Sequence, residues 1–98
     1  MTLDEFIQSV KNDGAPPASL SKVLRALWWA RKGDWDKAHH LAQAVYTDPG
    51  SWVHAYLHRV EGDLANARFW YRRAEKPECT SDLDAEWREI SEHLLGEG

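Results

Sequence analysis

In the stretch "HAYLHRVEGD", His54, His58 and Glu61 follow one another at helical intervals. On a helix His54 and His58 are one turn apart on the same face, and Glu61 follows three residues further along it. Two imidazoles so placed can both ligate a divalent metal such as zinc, with the carboxylate as third ligand. The alternative for the same residues is a polar-face histidine pair hydrogen-bonded to neighbours, with Glu61 or Arg25 as partner. His39 and His40 are adjacent, about 100° apart on a helix. They therefore cannot form a single-face site alone; either would have to be brought to the other pair by the fold. Otherwise these two, like His93, are exposed polar surface.

A second group is basic: Arg59, Arg68, Arg72, Arg73 and Lys76. Arg68 and Arg72 are one turn apart and can present two guanidinium groups to a carboxylate or phosphate. Phe69, Trp70 and Tyr71 beside them offer faces on which bases could stack. The net charge of −4 and the pI near 5.7 argue against nucleic acid as a partner and favour an acidic peptide. Of the six tryptophans, Trp28, Trp35, Trp70 and Trp87 fall on apolar stripes and are assigned to the core. Trp29 and Trp52 fall off the stripes or beside a turn and are candidates for lining a groove. Catalytic signatures are missing: there is no Gly-rich phosphate loop, no nucleophile elbow and no Glu directly after His54. The single cysteine, Cys79, reads as a loop thiol in a reducing compartment.

The chain reads as helical throughout, because β-branched runs and alternating stretches are absent and Gly and Pro fall between segments. Helices are predicted over about 3–11, 19–32, 35–46, 48–61, 64–75 and 82–95, the first opened by a Thr2/Glu5 capping box. Helix four carries Trp52, Val53, Tyr56, Leu57 and Val60 on its apolar side, with the two histidines opposite; Leu64 and Leu83 lead the stripes of helices five and six. Asp48 is read as the cap of helix four, with Pro49 in its first turn. At 98 residues the chain makes one domain. No apolar run reaches the length of a membrane span, and the acidic start "MTLDEFIQSV" lacks the features of a signal peptide, so a cytoplasmic location is expected.

Two stretches, "ARKGDWDKA" and "HRVEGDLANA", repeat a Gly-Asp turn 29 residues apart. Gly62, Asp63, Ala67, Tyr71 and Ala74, and in the first copy Gly33, Asp34 and Ala38, resemble the second half of a tetratricopeptide (TPR) or Sel1-like repeat. Ala42 stands where that family has an aromatic, and the helices before each turn depart from it: His54 and His58 in one copy, Arg25 and Trp29 in the other. The segment "WVHAYLHRVEGDLANARFWYRRA" also resembles a group of uncharacterised small proteins, which implies no function. The repeat resemblance implies two antiparallel helix-turn-helix units, about 19–46 and 48–76, between flanking helices. It also implies a non-enzymatic interaction module without a cofactor, which holds a protein or peptide partner, or a homodimer mate, against helices two and four. The second function class is a metal- or small-ligand-binding protein, a hydrolase included, built on His54, His58 and Glu61.

Overall fold

Six α-helices form among the described residues, 1–97, of the computed structural model: α1 (Leu3–Asn12), α2 (Lys22–Lys32), α3 (Trp35–Gln43), α4 (Asp48–Val60), α5 (Leu64–Arg73) and α6 (Leu83–Glu97). No strand occurs among those residues, so the chain is all-α. α1 opens on the expected capping box: Thr2 Oγ1 accepts from the Glu5 N–H at 3.1 Å, and Glu5 Oε1 accepts from the Thr2 N–H at 2.8 Å.

The doubled Gly-Asp is one device used twice. Gly33 and Gly62 sit at φ 97° and 86°, in the left-handed region that only glycine enters without steric cost. The N–H of the next residue reaches back five positions, Asp34 to the Trp29 carbonyl and Asp63 to the His58 carbonyl, both at 2.9 Å. Each Asp carboxylate then accepts the N–H three residues on, from Lys37 at 3.1 Å or Asn66 at 3.2 Å, and so starts the following helix. α5 closes by the same backbone pattern, Lys76 N–H to the Tyr71 carbonyl, but with Glu75 at φ 58° in place of a glycine.

Several ends differ from the periodic reading. α2 begins at Lys22, because the Leu20 N–H is held in a turn by the Pro17 carbonyl and Ser21 caps the Leu24 N–H. α3 stops at Gln43, leaving residues 44–47 to carry the chain across to α4. α5 stops at Arg73, just before the left-handed Glu75. Thr47 rather than Asp48 is the N-cap of α4; Asp48 and Pro49 are its first two residues. Gly50 is required there by close approach: a Cβ would lie 2.7 Å from Val45 Cβ and nearer still to the Val45 carbonyl oxygen.

The hairpins α2–α3 and α4–α5 pack together through α3–α4 and α2–α4 contacts, while α1 packs on α2 and α6, and α6 on α2 and α4. α4 is therefore central, and every residue from Gly50 to His58 is buried. This overturns the two-sided reading of that helix: the histidine face is enclosed, and Val60, assigned to the apolar side, is 40 % exposed. Leu64 and Leu83 are exposed too, because each begins its helix ahead of the packed turns. Indole N–H groups tie the layers: Trp28 donates to Ser9 Oγ at 3.1 Å and Trp87 to the Leu27 carbonyl at 2.8 Å, with Phe6 stacked on Trp87.

One buried acid closes the fold. Glu86 is 1 % exposed, and takes 2.8 Å from Arg59 Nη1 on one oxygen and 2.5 Å from the Tyr71 hydroxyl on the other. Arg59 also donates to the Ser81 carbonyl, so α4, α5, α6 and the loop before α6 meet at one charge-assisted network. Burial, then the hydrogen bond and charge of Glu86, hold the Tyr71 phenol well above its usual range.

Candidate metal centre

α3 and α4 bring three imidazoles together. Each of His39, His54 and His58 offers a ring nitrogen within 4.8 Å of the other two, and His54 and His58 are each only 6 % exposed. His39 Nε2 and His54 Nε2 are 3.0 Å apart, sharing one hydrogen between a donor and an acceptor. That separation is close to the distance between two nitrogens on one tetrahedral zinc ion, about 3.3 Å for Zn–N bonds near 2.05 Å. His58 uses Nδ1 for Glu61, 2.6 Å from Oε1, which leaves its other ring nitrogen for the cluster.

The aromatic surroundings fix these rings. Trp35 stacks on His39 with centroids 4.7 Å apart and donates its Nε1–H to the Leu57 carbonyl at 2.7 Å, which anchors the start of α3 to α4. Trp70 of α5 stacks on His54 at 3.9 Å, and His54 lies over His58 at 4.7 Å. Burial first, and then the neighbouring His39 and His58, push the His54 imidazole down to about 4. Burial and His58 likewise lower His39. Both shifts favour the neutral ring at His54 and His39, the protonation state that ligates a metal.

Glu61 occupies a different place from the one the helical spacing suggests. It lies beyond His58, on its Nδ1, where it orients the ring instead of converging with the other imidazoles. A carboxylate on the far nitrogen of a ligating histidine sets the tautomer and raises its basicity. A second grouping, His58 with Glu61 and Asp63, has both carboxylates exposed, and Asp63 is already engaged as the cap of α5.

The remaining sequence candidates are dispersed. Arg59 faces inward to Glu86 and is not available to a ligand; Arg68 lies 3.7 Å from Glu78, and Arg72 is exposed. Arg25 does not serve the imidazoles: its Nε is buried without a partner. Trp29 is half-buried under the Lys37 ammonium, 4.2 Å away, and lines a shallow depression with His40. Trp52 is buried under Lys76 and edge-on to His93, beside two shallow clefts. His40 and His93 are exposed.

Two functional positions escape the spacing argument. His39 has a usable signal: it lies beside Ala38, a small residue at a helix crossing, and so next to the face of α3 that meets its neighbours. Glu86 has one as well, three residues after Leu83 and four before Ile90 on the stripe of α6, where an acid requires a buried cation.

The chain is thus an all-α protein with a histidine cluster between α3 and α4, two of its three imidazoles buried. No protein-family model, curated protein or solved structure matches the chain.

Proposed function

We propose that this protein binds one divalent late first-row metal ion, of which zinc is the representative, through His39, His54 and His58, with Glu61 as the outer partner of His58. The observation that carries the reading is the convergence of three imidazole nitrogens from two helices, His54 and His58 buried and His39 half-buried, with His39 and His54 already at ligand spacing. An all-imidazole set suits zinc, cobalt, nickel or copper and not magnesium or calcium. The reading as an interaction module has less support, because α2 and α4, the helices such a module would offer, are covered by α1 and α6.

The test is calorimetric titration of zinc and magnesium into untagged, EDTA-treated protein. One zinc per chain is expected, lost in His39→Ala and in the His54→Ala/His58→Ala pair, with no magnesium heat. Glu61→Gln should weaken zinc by about 10–100-fold, the usual cost of an outer-shell partner. The absence of stoichiometric zinc, or zinc retained in His39→Ala, overturns the reading.

A further inference from the structure

His58 belongs to two groups of metal-ligating atoms. One joins it to His39 and His54; in the other, one ligand atom each of His58, Glu61 and Asp63 lies within 4.8 Å of the other two. His54 and His58 are buried, whereas Glu61 and Asp63 are exposed, the Glu61 side chain by 39 %. Each acid has one oxygen engaged, Glu61 Oε1 on His58 Nδ1 and Asp63 Oδ1 on the Asn66 N–H, which leaves the second oxygen of each. Asp63 makes no ion pair among the described residues.

The turn itself does not demand these ligands. The first Gly-Asp turn forms the same hydrogen bonds with Trp29, Lys32 and Asp34 where the second has His58, Glu61 and Asp63. An imidazole and two carboxylates within one ion's reach are thus peculiar to the second copy, and such a set suits the same zinc-class ions as the three imidazoles. Of the three rings, His39 has Trp35 stacked on it and His54 has Trp70, while His58 turns its Nδ1 edge to the exposed Glu61 carboxylate.

We propose that His58, Glu61 and Asp63 form an outer metal position through which the ion reaches the three imidazoles; this rests on the metal-binding reading above. A neutral imidazole has one lone pair, so His58 serves one position at a time. For the outer position Nδ1 ligates and the ring hydrogen is on Nε2. For the inner one Nε2 ligates and the hydrogen is on Nδ1, where the Glu61 carboxylate accepts it. Asp63 touches the ion only in transit. A group of that kind lowers the barrier between unchanged end states, so it alters the rates of entry and exit by one factor and leaves the affinity alone.

The test is kinetic. The full chain, untagged and EDTA-treated, is mixed with zinc by stopped flow and its tryptophan fluorescence followed, with Trp35 and Trp70 as reporters beside two of the ligands. Release is timed into excess chelator. Asp63→Asn keeps the cap of α5, which Asn serves as well as Asp. It should slow uptake and release alike by about tenfold, the low end of what a charged approach adds to an association rate, with the calorimetric affinity unchanged. Asp4→Asn makes the same change of charge on α1, which packs on neither α3 nor α4, and should leave both rates as they are. Phe69→Ala, which widens the cleft that His54 lines between α3 and α5, should leave them too. Uptake as fast in Asp63→Asn as in wild type overturns the outer position, as does slower uptake without slower release, or faster uptake in Phe69→Ala. Each of these leaves the three-imidazole site standing. Wild-type protein that takes up no zinc overturns both.

Discussion

Acidifying the chelator-treated protein should unfold it through the imidazole cluster, with His54 carrying most of the effect. In the folded chain His54 titrates at about 4, held down by burial and by His39 and His58; in the unfolded chain it titrates near 6.5. The folded state therefore prefers the neutral ring, the unfolded state binds the extra proton below 6.5, and stability is lost as pH falls from about 6.5 toward 4. With those two values the linkage relation gives a loss of about 2.5 kcal/mol at pH 4.5 relative to neutral pH, and about 3.4 kcal/mol once both forms are protonated. Against a total of about 5–15 kcal/mol for a domain, that is a large fraction. Urea unfolding followed by tryptophan fluorescence, at a series of pH values with EDTA, measures it directly. Comparison with His54→Gln cancels the contribution of the carboxylates, and the variant should lose about 2.5 kcal/mol less over the same interval. An identical pH dependence in wild type and His54→Gln would refute the argument, as would an NMR titration placing His54 near 6.5.

The other expectations concern stability and are read from the same denaturation experiment. Glu86→Ala strips the buried Arg59 guanidinium and the Tyr71 hydroxyl of their partner and should cost about 3–5 kcal/mol. The double change Glu86→Leu/Arg59→Met should cost less than the single one, since no buried charge is left alone; a larger cost in the double variant counts against the network. Glu75→Gly relieves a left-handed non-glycine residue at the end of α5 and should stabilise by about 0.5–1 kcal/mol, whereas Glu75→Ala should not.

The central position of α4 explains why its chemistry is hard to see from periodicity. A helix with one solvent face displays a stripe, and a polar residue off the stripe is read as exposed. α4 packs against α2, α3, α5 and α6, so His54 and His58 are interior residues although they lie opposite Tyr56. Their burial is tolerated because each finds a partner, His39 for His54 and Glu61 for His58.

Local residue order suffices for the helices and the devices that end them: the Thr2/Glu5 box, the Gly33-Asp34 and Gly62-Asp63 turns, and the all-α class. These are interactions over three to five residues, and residue type alone sets their sign. It also brought His54, His58 and Glu61 into one argument, because helical spacing places them on one face. Helix packing is what makes His39, from another helix, the third imidazole, sets Glu61 behind His58, and gives Arg59 to Glu86. It likewise set Val60 in solvent. Those outcomes depend on which faces of separate helices meet, and that is settled by packing around α4 and by the need of each buried polar group for a partner.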